Sequence, residues 1–358
     1  MINGCKHMRI SIEKKISVII PCYNVSDTIA QTWKSLKEQT LGIDFLECIF
    51  VDDASTDTKS WEKLQDLEKE APGSTIIIRL PENMRQGGAR NVGLTYASGK
   101  YLMFLDADDE LDPNACKELY EMAEDYHTDI IQFRHLFIRS DDDVDWIPTE
   151  AELGEDRLFD LEKDEIRRRF LIHSLGDCGC TNKFYRMDMI KAAGVKFGEH
   201  CFYEEPRFVY PLYLEAKKVL HIDKQYYHYY WHSGSTMTSK LGEHLLDHPR
   251  VQMILLEDLL AKPEEFLKYK PEIETHFLYS YYWETVAFSY TNGGVLPLEY
   301  FKAMQDNIRV LFPDIIDNPI INSIEKIRPI LHSVFVTINT QQQLEEFAEI
   351  AAKLMWSD

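Results

Sequence analysis

Two aspartates one residue apart, Asp106 and Asp108, follow directly on the apolar run 101–105. Carboxylates at i and i+2 form a hard-oxygen pair that suits a divalent cation able to take phosphate oxygens as well. The apolar run reads as a buried strand, so the pair stands at its carboxyl end, the edge where open α/β sheets bind ligands. Metal-dependent chemistry on a nucleotide-phosphate substrate is the reading this placement favours. An EF-hand calcium loop fails, because counting from Asp106 the sixth position is Leu111 instead of Gly and the twelfth is Lys117 instead of Glu. Asp112 ahead of Pro113 is accounted for as a helix cap. For Asp106 and Asp108 the competing account is a solvated acidic turn.

The elements that must position this pair are legible as an alternation of strand and helix signals. Residues 16–20 form an apolar run ended by Pro21. A second run, 45–51, is ended by Asp52 and Asp53, a third spans 74–80, and 101–105 and 129–133 complete five expected strands. Helical segments lie between them, from a cap at Ser26 or Asp27 to about Glu38, from Ser55, Thr56 and Asp57 onward, and from 88 to 97, closed by Gly99. This alternation predicts an α/β, Rossmann-like fold with a mostly parallel sheet flanked by helices. In such a sheet the loops Pro21-Cys22-Tyr23-Asn24, Asp52-Asp53-Ala54-Ser55 and Asp106-Ala107-Asp108 share one edge, and one ligand can touch all three. Asp53 suits a base N–H or a ribose hydroxyl; the plain reading of its loop is a turn with a helix cap. The first loop lacks G-x-G-x-x-G and no P-loop sequence occurs, which argues against a dehydrogenase and excludes a P-loop nucleotidase.

The chain has 358 residues, 45% of them hydrophobic, and a formal charge of −21. That length suits two domains, or one with a large extension, and the apolar share supplies a sizeable core. Nucleic acid is not an expected partner, because neutralising phosphates needs clustered Lys and Arg. Much of the negative charge falls at 141–165, where Asp141, Asp142, Asp143 and Asp145 crowd together in what reads as a solvated loop. The seven cysteines complete no zinc-type pairing. Reduced thiols, the missing signal-peptide core at 1–13 and the lack of an apolar run of about 18 residues predict a cytoplasmic protein. From about 241 onward apolar residues recur at helical spacing, as in Val251, Ile254, Leu255 and Leu259.

Four segments carry a resemblance: Ser17-Val-Ile-Ile-Pro-Cys-Tyr-Asn24, Phe50-Val-Asp-Asp-Ala-Ser-Thr-Asp57, Asn83 followed by Gly88-Ala-Arg-Asn91, and Phe104-Leu-Asp-Ala-Asp-Asp109. In this order, over roughly residues 16–112, they resemble the successive motifs of family 2 glycosyltransferases, which have the GT-A fold. The resemblance implies inverting transfer of a sugar from a nucleotide-sugar, most often UDP-linked, with Mg2+ or Mn2+, to a glycan or lipid-linked acceptor. It places Pro21, Tyr23, Asn24 and Asp53 around the nucleoside, with Asp53 against the base and Asp52 supporting the loop. Gly88 and Arg90 fall near the donor, Asp106 near ribose and metal, and Asp108 at the main metal position. Arg85 stands where many relatives have Gly, as an added donor contact or a changed loop. Oxygen ligands at this edge suit Mg2+ or Mn2+; zinc would favour His or Cys. A cation there would offset the charge that builds on the departing diphosphate.

Inversion also needs a base on the far face of the sugar. In Cys201-Phe-Tyr-Glu-Glu-Pro-Arg-Phe208 the pair Glu204-Glu205 is similar to the family's Glu-Asp pair, with Glu205 where the base sits. Adjacent carboxylates beside Phe202 and Tyr203 are expected to raise the pKa of the working member; the competing account is a helix N-terminus ahead of Pro206. The segment from Tyr226 to Thr238 resembles one that closes over the diphosphate. Its expected arginines are Tyr230 and His232 here, leaving His232 and Ser235 as hydrogen-bonding groups. Lys183 matches a lysine the family often keeps. The aromatics from Phe277 to Trp283, with Phe288, read as core; their second reading is an acceptor groove or a peripheral membrane contact for a lipid-linked acceptor. The expected organisation is a tail at 1–15, a donor-binding catalytic domain at 16–240 and a helical region at 241–358 packed on it. Two rivals stand beside this reading. A sugar nucleotidyltransferase would need a glycine-rich loop after the first strand, and a non-catalytic nucleotide-sugar-binding protein would fit the altered Tyr230 and His232.

Overall fold

The computed structural model describes residues 13–139, 154–231, 242–291, 293 and 296–355. Four parallel strands, β1 (Ile16–Cys22), β2 (Leu46–Asp52), β3 (Thr75–Arg79) and β4 (Tyr101–Phe104), stand in the order β3-β2-β1-β4. They are linked by α1 (Ile29–Lys37), α2 (Thr58–Glu70) and α3 (Arg85–Tyr96). Ile16 lies opposite both Leu46 and Tyr101, so the three strands start level. Successive side chains alternate between two cores. Ile19, Ile49, Val51 and Phe104 face one, while Val18, Ile20, Phe50 and Met103 face the other, against Trp33 and Leu36 of α1. Burial on both faces is why these strands read as unbroken apolar runs.

The sheet continues through β5 (Glu110–Leu111), α4 (Ala115–Tyr126), β6 (Ile130–Arg139), β7 (Arg157–Asp160), α5 (Asp164–Leu171), β8 (Lys183–Arg186), α6 (Met187–Ala193), α7 (Glu205–Glu215) and β9 (Lys218–Trp231). β8 runs antiparallel between β4 and β6, whereas β9 lies parallel to β6 and takes β5 and β7 antiparallel. The nine-stranded sheet is therefore mixed, with β5, β7 and β8 opposing the other strands.

Boundaries depart from the sequence reading in a few places. β1 extends through Pro21 to Cys22. β4 stops at Phe104, opposite Ile19, so no neighbour there needs the N–H that Pro21 lacks. α1 starts at Ile29 behind Thr28, and neither Ser26 nor Asp27 caps it. α2 starts at Thr58, behind the expected Ser55–Asp57, and is capped by Asp57, which accepts from the Ser60 N–H at 2.6 Å. α4 begins at Ala115, with Asn114 at the cap position and Asp112 accepting the Asn114 N–H at 2.8 Å one turn earlier. α3 begins three residues ahead of Gly88.

Beyond α8 (Asp247–Leu260) the chain is helical, with Lys270–Phe277 passing into a π-helical turn, Leu278–Glu284, and then Thr285–Thr291. Tyr281, Tyr282 and Trp283 are buried, the core reading of that stripe. One apolar cluster runs from Ile19 and Phe104 through Phe208 and Tyr213 of α7 to Leu255 and Tyr281, so the C-terminal helices share the sheet's core. No helix among the described residues is long and apolar enough to cross a membrane. Phe104 makes edge contacts with Tyr185, Phe197 and Phe208, joining β4 to the elements behind it. Phe104→Ala is expected to lower the unfolding free energy by about 3–5 kcal/mol, measured by urea denaturation.

Candidate active site

β1, β2 and β4 end on one cleft of about 370 Å3. Pro21, Tyr23 and Asn24 line it from β1, Asp53 from β2, Arg85 from the start of α3, Asp106 and Asp108 from the end of β4, and Phe202 from the loop before α7. Tyr23 is 46% exposed, a flat ring presented at the mouth. The backbone around the cleft is strained. Asn24, Ala54, Arg85, His200 and Tyr203 hold φ between 54° and 63° without being glycine. Such conformations cost about 1–3 kcal/mol each and persist where neighbouring contacts over-determine the loop.

Those contacts are visible. The Asn24 N–H donates to Ser55 Oγ at 2.9 Å, and Asn24 Oδ1 accepts the N–H groups of Thr56 at 2.9 Å and Asp57 at 3.2 Å. The side chain of Asn24 thus ties the first loop to the second. Asp52, fully buried, accepts the Ser55 N–H at 3.1 Å and pairs with Arg79 at 3.1 Å. Asp53 accepts the Met84 N–H at 2.6 Å; burial raises its carboxyl against the pull of the Met84 and Arg85 amides. The guanidinium of Arg85 lies 4.5 Å from the centre of the Phe202 ring.

At the acidic turn the sequence reading overlooked Asp109. Its carboxylate accepts from the Tyr227 hydroxyl at 2.7 Å and the Tyr230 N–H at 2.8 Å, and the Tyr227 oxygen accepts the Asp106 N–H at 3.1 Å. Burial, then the charges of Asp108 and Asp106, push the Asp109 carboxyl well up. This residue clamps the end of β9 onto the acidic loop. The signal was present as the third acid of the run and the tyrosines at 227 and 229.

Arg90 and Gly88 do not line the cleft. Arg90 is 2% exposed and sits behind Asp106, donating from Nη2 to Asp106 Oδ1 at 2.8 Å and from Nη1 to Glu204 Oε1. Gly88 serves the first turn of α3, where a Cβ would meet Met84 Cβ at 2.3 Å. Gly87, absent from the sequence reading, matters more. A Cβ there would lie 1.9 Å from the Gly198 carbonyl oxygen and 2.9 Å from Glu204 Cβ, so only glycine lets the 198–204 loop press against α3.

Glu204 and Glu205 divide between two environments. Burial raises the Glu204 carboxyl to about 7, with Arg90 drawing it down and Glu205 adding to the rise. The raised carboxyl is thus the inner member, where the sequence reading placed the rise on the working one. Glu205 is half-buried, opens α7, and accepts the Cys180 N–H at 2.8 Å from Oε1. The helix-terminus account therefore also holds, and the dipole favours its charge. Lys183 is buried, with Nζ donating to Asp177 Oδ1 and the Gly179 carbonyl at 2.6 Å and to Asn182 Oδ1 at 2.8 Å. It shapes the turn that presents the Cys180 N–H to Glu205.

Tyr230 is not a stand-in for a diphosphate clamp. Its N–H goes to Asp109 and its hydroxyl donates to Glu110 at 3.1 Å, within β9 as part of the sheet. His232 and Ser235 lie outside the described residues. Asp106 and Asp108 put two oxygen-donor side chains into one cleft, and no group of three or more His, Cys, Asp or Glu among the described residues encloses a metal. That donor set fits Mg2+ or Mn2+ held open toward a ligand's own oxygens. A second cavity, about 340 Å3, lies between α6, α7 and α8; its Arg207 pairs with Asp258 at 2.7 Å and its Lys262 with Glu215 at 3.0 Å.

Two outcomes are expected from this geometry. Gly87→Ala should displace the 198–204 loop and cost about 1–3 kcal/mol of stability in urea denaturation. For Glu204, the folded chain keeps a proton between pH 4.5 and about 7 that the unfolded chain has released. Stability relative to Glu204→Gln should therefore fall as pH rises through that window and level off above it. Denaturation of both proteins across the window measures the difference; a flat difference would refute the assignment.

A family model described as "Glycosyl transferase family 2" matches residues 17–194. The chain is 26% identical over 330 residues to poly(ribitol-phosphate) beta-N-acetylglucosaminyltransferase TarS of Staphylococcus aureus, covering 89% of this chain and 52% of that protein. It is 27% identical over 278 residues to a cholesterol galactosyltransferase of Borreliella burgdorferi, covering 75% and 74% respectively. The chain thus spans about half the length of the first of these relatives. Among solved structures, residues 1–349 of S. aureus TarS in complex with UDP-GlcNAc superpose with a TM-score of 0.68 at 22% identity, covering 95% of this chain and 90% of that one. The superposition gives the same fold, and residues 17–194, whose motifs meet at one cleft, form a glycosyl transferase family 2 domain.

Proposed function

We propose that this protein transfers a sugar from a UDP-sugar to a hydroxyl of a growing surface glycan, with inversion at the anomeric carbon. The observation that carries this reading is the convergence of Tyr23, Asp53, Asp106 and Asp108 on one cleft, with Arg90 linking Asp106 to the Glu204-Glu205 pair. Tyr23 offers a face to the uracil ring, and Asp53 an acceptor for its N–H. Asp106 and Asp108 would hold Mg2+ or Mn2+, which when bound supplies Lewis-acid neutralisation of the diphosphate leaving group. The relatives' printed activities and the UDP-GlcNAc in the superposed TarS structure support the donor class.

Glu205 is the group that takes the proton. As the acceptor oxygen attacks the anomeric carbon, the bond to the diphosphate oxygen breaks with its electron pair, and the hydroxyl proton passes to Glu205. General-base help of this kind is worth about 10²–10⁴ in rate. Glu204 stays inside, bound to Arg90, and orients its neighbour instead of reacting.

A thermal-shift panel of nucleotide-sugars, with and without Mn2+, tests the donor. The true donor should raise the melting temperature by mass action, and more with Mn2+. Glu205→Gln should lose about 10²-fold or more in transfer while keeping that shift, whereas Asp108→Asn should lose both transfer and the Mn2+-dependent part. Full transfer by either variant would remove that residue from the mechanism.

A further inference from the structure

β6 and β9 run on together past β8. β8 pairs with β6 only at 130–132, while β6 continues beside β9 as far as Arg139. In that extension His135 lies opposite Tyr227 and Phe137 opposite Tyr229, so alternate residues place aromatic rings on one face. The rings form a ladder, with centroid distances of 5.1 Å for Tyr227–His135, 5.6 Å for His135–Phe137, 5.4 Å for Phe137–Tyr229 and 5.8 Å for Tyr229–Trp231. Phe137 and Tyr229 are half-buried.

The foot of this ladder is built into the site. The Tyr227 hydroxyl joins Asp109 to the Asp106 amide. His135 Nε2 lies 3.0 Å from Thr181 Oγ1, next to Cys180, whose N–H holds Glu205. The ladder thus rises between the acidic pair and the proposed base. Burial, followed by the charges of Asp109, Asp106, Asp108 and Glu205, raises the Tyr229 phenol, as befits a ring standing among those groups.

We infer that the His135–Phe137–Tyr229–Trp231 ladder is the acceptor subsite, and that it takes the C–H face of an uncharged pyranose. This rests on the glycosyl-transfer reading of the adjacent cleft. A pyranose presents a flat patch of C–H groups to aromatic rings and keeps its hydroxyls at the rim, the pairing that half-buried rings beside polar groups favour. An acyclic polyol phosphate offers no such patch, and its charge would meet the carboxylates at the foot of the ladder. Arg139, in register with Trp231, lies at the opposite end. By this argument the acceptor differs in chemistry from the poly(ribitol phosphate) for which TarS is named.

The test uses the full chain with UDP and Mg2+, and methyl β-glucopyranoside, methyl β-galactopyranoside and ribitol 5-phosphate as probes in saturation-transfer NMR. At least one pyranoside should receive saturation, concentrated on the protons of one ring face, and ribitol phosphate should receive none. Phe137→Leu keeps apolar volume but removes the flat ring, and should cut the pyranoside signal about tenfold, as should Tyr229→Ala, with Tyr229→Phe restoring most of it. The thermal shift given by UDP should be unchanged in all three variants. Unchanged pyranoside signals in the variants, a signal from ribitol phosphate alone, or no signal from either pyranoside would each overturn the assignment. The UDP shift of the unmutated protein is read separately, and its absence would overturn the donor reading itself and with it this inference.

Discussion

A single buried guanidinium holds this site together. Arg90 has almost no contact with water, and it donates to Asp106 on one side and Glu204 on the other. Removing one partner of such a group leaves a buried charge uncompensated, which costs several times what a surface ion pair contributes. The acidic loop and the loop before α7 are far apart in sequence, and this cation fixes them relative to each other. Phe104 and Phe197 lie beside the guanidinium and screen it from solvent.

The loop that carries Glu204 is held from its other side by the C-terminal helices. The Phe202 N–H donates to Asp247 Oδ2 at 3.1 Å, and the Tyr203 ring stacks on Phe288 at 5.9 Å and meets His248 edge-on at 5.0 Å. From the sheet side, Asn91 of α3 bonds the Phe197 carbonyl at 3.2 Å and Glu199 at 2.9 Å. The helical region therefore has a part in the site: it presses a strained loop, with Tyr203 at positive φ, onto α3.

The parallel half of the fold was legible because each of its strands is buried on both faces and ends in a polar turn. Tyr101 to Phe104 is apolar at every position, so strand, edge and acidic pair could be read together. The same logic did not reach β8, four residues whose Lys183 and Arg186 look like surface, because Lys183 is buried by forming bonds with a turn that sequence alone does not show. β6 was read as half its length, since past Phe133 its residues are half-buried and alternate in character. In the site, Tyr23, Asp53, Asp106 and Asp108 face the cleft and could be picked out by type and spacing. Those that work from behind, Asp109 and Gly87, were missed, because their roles depend on how β9 and the 198–204 loop return in three dimensions.

The π-helical turn at Leu278–Glu284 carries a different lesson. A wider turn lets Tyr281, Tyr282 and Trp283 all stay buried and still swings Glu284 to within 3.6 Å of His248. The wider turn thereby sets where the carboxylate of Glu284 meets His248, one of the groups that lean on the loop ahead of α7. His248 in turn meets Tyr203 edge-on at 5.0 Å, so the shape of this turn is felt in the loop that carries Glu204.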